Sequence, residues 1–276
     1  MRTIKTKKGT IAHSPLLKTA AVWAFLCLLL TSHAQFYNGS QLTFGKNRVQ
    51  HQQFNWQYLR AEQYDVYYYP TGRALAQYVF YKTPEVIAEI EQLLNYTSKK
   101  KLQIIVYNTQ SDFRESNFAY DYEDFYNQGG VTNIYGTKIY IYFDGNRAHL
   151  DKMIRSGIMN VYAHWVVQGA TVGSNISYDY LMNVPGWYYS GLASYFGEHW
   201  SSDVETHVKN GILTGSYKRI EELSPVEATY AGHSFWKYLT DVYGEDIISK
   251  TLYYTRSGKS LENSYFLHNF TVFFVF

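Results

Sequence analysis

Cysteine is all but absent: the 276-residue sequence has one, Cys27. It lies in an apolar run, Ala20–Leu30 (AAVWAFLCLLL), that follows Arg2, Lys5, Lys7, Lys8 and Lys18 and stops at Thr31-Ser32-His33-Ala34. A basic start, a short apolar stretch and small residues at Ser32 and Ala34 make residues 1–34 a secretory signal peptide, cleaved before Gln35. The run falls short of the roughly 20 residues a membrane span needs, so no stable span is expected once the signal is removed. No small residue precedes Cys27, which argues against a lipoprotein site. The mature chain then has no cysteine, and this excludes disulfides, thiolate zinc sites and cysteine nucleophiles. An exported chain without cysteine fits a bacterial periplasm or cell envelope better than a small disulfide-stapled secreted domain.

An excess of one charge is also missing. The signal takes five of the 25 basic residues and none of the 23 acidic ones, leaving 20 against 23. A nearly neutral chain gives no support for nucleic-acid binding. The one run of like charge, Lys99-Lys100-Lys101, reads as a solvated turn ahead of a strand. Phosphate-binding glycine loops do not occur, and Tyr189-Ser190-Gly191-Leu192-Ala193 is not the Gly-x-Ser-x-Gly elbow of a serine hydrolase.

What is abundant is tyrosine, 29 residues in all. Each ring adds apolar area with a polar tip. The excess suits either a groove for peptide or sugar, or an ordinary tyrosine-rich core and surface.

The 242 residues after the signal suffice for one large or two small cores. Residues 35–53 form a polar, extended lead-in. Tyr64–Tyr69, Lys101–Tyr107 and Thr137–Phe143 are β-branched and aromatic and are predicted as strands. Thr71–Leu94 carries apolar residues at helical spacing, with Pro84 expected to break it or start a new first turn. Ser111–Asn127 is a short helix or an irregular loop. After Asp144-Gly145-Asn146 the pattern is helical throughout. It gives Arg147–Gln168, Pro185–Glu198 with Pro185 in the first turn, Val204–Asn210 closed by Gly211, Pro225–Tyr243 closed by Gly244, and Glu245–Thr255. The fold class is α+β: a sheet-containing lobe over 54–146, then a helical lobe over 147–265. The final stretch, Phe266–Phe276 (FLHNFTVFFVF), is uncharged and heavily apolar. It implies a buried terminal strand or a chain that continues into a partner domain.

On Arg147–Gln168, 100° per residue gathers Leu150, Ile154, Ile158, Val161 and Trp165 into a core stripe. His149, Met153, Ser156, Asn160 and Ala163 share the other face. A zinc-binding helix carries His-Glu-x-x-His at such a place, two imidazoles four residues apart and a carboxylate to activate water. Ser156-Gly157-Ile158-Met159-Asn160 keeps that spacing with the wrong chemistry: a hydroxyl, no side chain, and a carboxamide.

The segments Phe44–Gln50 (FGKNRVQ), Phe54–Tyr69, Asn183–Trp200 (NVPGWYYSGLASYFGEHW) and Ala231–Gly244 (AGHSFWKYLTDVYG) carry a resemblance to the peptidase-MA-like family of gluzincin metallopeptidases. It spans roughly Phe36 to Leu267. The resemblance implies a zincin-like fold with a small mixed sheet, an edge strand, an active helix and a Glu-bearing helix, in envelope proteins that pair this domain with a β-propeller. The family's second helix reads Pro-x-Trp-x-x-Glu-Gly-x-Ala-x-Tyr, its Glu being the third zinc ligand. This chain has Pro185, Trp187, Gly191, Ala193 and Tyr195 in register, with Ser190 at the ligand position. Ser156, Gly157, Asn160 and Ser190 together make a degenerate site, with no catalytic residue and no bound metal expected.

Two readings follow. In the first, the chain is a non-catalytic peptidase-like domain that binds a polypeptide or glycan, or docks a downstream β-propeller or envelope protein. Its groove would be lined by Tyr140, Tyr142 and Tyr189 beside an edge strand, Thr137–Phe143, to which an extended peptide adds itself. In the second, it is an active zinc metallopeptidase with shifted ligands, His164, His199 and Glu198. Adjacent Glu198 and His199 point about 100° apart on a helix, which makes that set awkward. His164 beside Trp165 and His233 after Gly232 otherwise read as hydrogen-bonded structural histidines.

Overall fold

In a computed structural model of the chain, the described residues are 53–116, 133–135, 137–169 and 184–261. They fall in one contact unit, Leu42–Phe276; the other unit, Met1–Gln41, lies outside them. The signal sequence, most of the 35–53 lead-in, the second half of Ser111–Asn127 and the apolar tail therefore lie outside the described residues.

The three strands expected from β-branched and aromatic runs are present as β2 (Tyr64–Tyr68), β3 (Leu102–Tyr107) and β5 (Lys138–Tyr142). Two short ones join them, β1 (Gln57–Arg60) and β4 (Asn133–Tyr135), giving a five-stranded sheet in the order β1-β2-β3-β5-β4. The middle three run parallel, with Val66 opposite Ile104 and Val106 opposite Ile141. β1 and β4 pair antiparallel with β2 and β5. The expectation of an edge strand at Thr137–Phe143 is corrected here. β5 is interior, with β3 on one side and β4 pairing Lys138–Tyr140 on the other. Interior parallel strands are covered on both faces, so they read as nearly unbroken apolar runs; β3 is buried at every residue but Gln103.

Helix α1 (Arg73–Leu94) crosses from β2 to β3. It is continuous through Pro84, against the predicted break. A proline removes the N–H that would bond the carbonyl four residues back. That carbonyl, on Phe80, instead accepts the hydroxyl of Tyr64 from β2 at 2.8 Å. A partner from another element holds the turn together, and no local signal announces it. Of the lysine run, Lys101 pairs with the buried Asp65 (2.9 Å) and Lys100 lies 5.8 Å from the Trp165 ring centre, so only part of it is a solvated turn.

After α2 (Gln110–Arg114) and β5, the described residues are mainly helical: α3 (Arg147–Gln168), α4 (Gly186–Gly197), α5 (Ser202–Leu213), α6 (Pro225–Tyr243) and α7 (Asp246–Gly258). Caps explain the starts. Side-chain oxygens of Asn146, Ser201 and Ser224 accept backbone N–H groups in the first turns of α3, α5 and α6. Pro185 is the N-cap residue of α4, one position before the first turn. Gly211 does not close α5. The helix runs on to Leu213, and a Cβ on Gly211 would lie 2.1 Å from the Tyr217 ring, so this glycine serves packing. α3 joins the two halves. Arg155 makes two 2.7 Å bonds to Glu89 of α1, and Tyr162 donates to Glu91 at 3.0 Å. The fold is α+β. No helix among the described residues is long and apolar enough to cross a membrane.

Candidate functional site

The predicted core stripe of α3 is buried, and so is the face opposite it. Between Met153 and Val167 only Arg155 and His164 keep appreciable exposure. A helix apolar on one stripe would leave its other face to solvent. This one has α1, the sheet, α4 and α7 around it. Ser156 has no exposure and Asn160 only 8%.

α4 runs antiparallel along that second face. Lys152 pairs with Glu198 just past the end of α4. Arg155 donates from Nε to the Phe196 carbonyl (3.2 Å) and lays its guanidinium 4.3 Å from the Phe196 ring centre. Ser156 meets Gly197 so closely that a Cβ there would lie 2.8 Å from the Ser156 Cβ. At the far end the His164 ring stacks on Tyr189 at 3.8 Å. Small residues at Ser156 and Gly197 let the helices close.

The positions expected to be degenerate are committed elsewhere in the packing. The Ser156 hydroxyl donates to the Met153 carbonyl in its own helix (3.3 Å), Gly157 is buried, and Asn160 offers its carbonyl to His164 Nδ1 (2.8 Å). Ser190 turns the other way and hydrogen-bonds the Thr229 hydroxyl of α6 (2.9 Å). Ser190 precedes Gly197 by seven residues, about 10 Å of helix, so it does not join Ser156. These residues do not fit zinc: none is an imidazole or a carboxylate, and two of the hydroxyls are committed.

The shifted set fares no better on geometry. His164 sits against Tyr189 at one end of the seam and Glu198 pairs with Lys152 at the other, and His164 and Lys152 are twelve residues, about 18 Å, apart along α3. Glu198 and His199 both lie beyond the last residue of α4, Gly197, so their relation is not the 100° helical one. Among the described residues no group of three or more His, Asp or Glu side chains is gathered as a metal ion requires.

The proposed groove tyrosines are also placed inside. Tyr140, Tyr142 and Tyr189 are 0%, 3% and 8% exposed. Tyr142 stacks on Phe113 (5.4 Å) and Tyr189 on His164, and it is β4 that occupies the edge of β5 to which a strand would add. Several described tyrosines make internal hydrogen bonds to carboxylates. Tyr69 donates to Asp112, Tyr78 to Asp151 (2.6 Å) and Tyr230 to Asp203 (2.9 Å). The bond to Asp151, then burial, pushes the Tyr78 hydroxyl up to about 12.

Two further features stand where α4 meets α6. The first was expected: His233 bonds across helices, its Nδ1 lying 2.9 Å from Ser194 Oγ of α4. Burial above all, then Lys152, Lys237 and His199, pushes its pKa down to about 3. Gly191 and Gly232 form the second: a Cβ on Gly191 would lie 2.4 Å from the Gly232 carbonyl carbon. A glycine inside a helix costs about 1 kcal/mol against alanine, so Gly191, Gly197, Gly211 and Gly232 each signalled a close approach. The sequence matches no protein-family model and no curated protein.

Proposed function

We propose that this chain is an exported, non-catalytic domain of zincin-like (gluzincin) build, a binding or assembly module of a bacterial periplasm or cell envelope. The closed seam carries the reading. A working peptidase of that build keeps an imidazole and carboxylate set open to substrate. Here Ser156, Gly157 and Asn160 are buried against neighbouring side chains and backbone, and Ser190 bonds Thr229. The framework residues behind the resemblance have packing work instead: Trp187 lies edge-on to Phe235, Gly191 touches Gly232, and the Tyr195 hydroxyl meets that of Thr240 (2.9 Å). Scaffold retained with chemistry removed is what a binding module derived from a peptidase requires.

Its ligand is a polypeptide or glycan, or an adjoining β-propeller or envelope protein. Tyr238 and Val242, one turn apart on α6 and more than half exposed, favour a protein partner. The test is metal content and activity of the purified chain. After dialysis against zinc, mass spectrometry should find well under one ion per chain, and an unfolded polypeptide should stay uncut. One zinc per chain, lost on His164→Ala together with chelator-sensitive cleavage, overturns the reading in favour of an active metallopeptidase.

A further inference from the structure

Where α4 and α6 cross, backbone meets backbone. A Cβ on Gly232 would lie 2.4 Å from the Trp187 carbonyl oxygen, as one on Gly191 would crowd Gly232. The next residue, His233, is fully buried between these helices. Its Nδ1 is bonded to Ser194, and its Nε2 has no hydrogen-bond partner among the described residues. Tyr195 and Trp200 pack edge-on to the ring, each centre 5.7 Å away. The charged groups acting on it come from every side: Lys152 from α3, His199 beyond the end of α4, and Lys237 from α6 itself. The nearby carboxylates are already engaged, Glu198 by Lys152 and Asp241 by Lys237 (2.7 Å).

We propose that His233 is an acid-released latch: neutral, it closes α4 on α6, and a proton on its ring opens the pair. A protonated ring has two N–H donors where, among the described residues, only Ser194 is bonded to it, and it would stand among cations whose neighbouring carboxylates, Glu198 and Asp241, are already paired. The crossing leaves nothing to slide, because glycine backbones are already in contact, so water reaches the ring only if the helices part.

The sign follows from proton binding. The closed pair holds the ring neutral down to about 3, while an open ring titrates near 6.5. Closure is therefore fully favoured above about 6.5 and loses about tenfold per pH unit of acidification below it, roughly a hundredfold by pH 4.5. Opening uncovers the buried Trp187, Phe235 and Trp236.

Hydrogen exchange of the purified chain at pH 6.5, 5.5 and 4.5, corrected for intrinsic rates, tests this with α1 as internal reference. Protection in α4 and α6 should fall about a hundredfold more than in α1 across that range. In His233→Gln the difference between the elements should vanish. Equal loss everywhere, no loss, or an unchanged differential in His233→Gln overturns the latch. If that variant does not fold, the wild-type comparison between elements still decides.

Discussion

Gly197→Ala puts the closed seam to a quantitative test. The new methyl group would sit 2.8 Å from the Ser156 Cβ, 3.1 Å from the Lys152 carbonyl oxygen and 3.3 Å from the Ser156 nitrogen. Carbon atoms rest comfortably at about 3.5–4.0 Å, so α3 and α4 must part by roughly 0.7–1.2 Å at this point. None of the three obstructing atoms is the far end of a flexible side chain. Forcing a methylene-sized group into packed structure costs about 1–3 kcal/mol. Against this, replacing glycine by alanine in a helix gains at most about 1 kcal/mol, and less at the last residue of α4. The net loss is about 1–2 kcal/mol, which lowers Tm by about 2–8 °C for a chain of this size. Gly186→Ala in the first turn of the same helix is the control, because a Cβ there meets nothing within 4 Å. Thermal and urea unfolding of both variants beside the wild type supply the measurement. A Gly197→Ala protein as stable as wild type, or more so, would mean that the space beside Ser156 is open, and the argument for a site closed by packing would fail.

Tyr64→Phe should cost about 1–2 kcal/mol by leaving the Phe80 carbonyl without its partner. In a Pro84→Ala background the restored N–H takes over, and the same change should cost about 1 kcal/mol less; equal costs in the two backgrounds contradict the account of the unbroken helix. Arg155→Ala should lose about 1–2 kcal/mol, a figure moderated by the half-exposed Glu89. Arg155→Lys should recover under half of that in urea unfolding, because an ammonium cannot make the paired bonds to Glu89 and the one to Phe196 together; full recovery would rule this out.

Much of the architecture was legible because its causes are local. Asn146 and Ser224 announce the starts of α3 and α6, and Gly169 and Gly244 their ends, since caps satisfy backbone groups within one turn. β2, β3 and β5 were legible as dense β-branched and aromatic runs. β1 was missed because Gln57–Arg60 is largely exposed and carries no apolar alternation, and β4 because three residues hold too little pattern. The position of β5 in the sheet depends on β4 returning along it, and no residue within β5 encodes that. The same holds at the candidate site. The wrong chemistry of Ser156, Gly157, Asn160 and Ser190 could be read from residue types alone. That Ser190 faces Thr229 and Tyr189 faces His164 could not.

By itself the sequence determined that Ser156, Gly157, Asn160 and Ser190 carry neither imidazole nor carboxylate, and where the longer helices and strands run, because those properties belong to side chains and to hydrogen bonds a few residues apart. Only the tertiary structure decided that the second face of α3 is buried against α4, that Tyr69, Tyr78 and Tyr230 turn to carboxylates, and that His233 is enclosed with no counter-charge bonded to it among the described residues. Burial and electrostatic surroundings are set by neighbours tens of residues away along the chain, and a glycine reads as a contact only once the opposing backbone is in place.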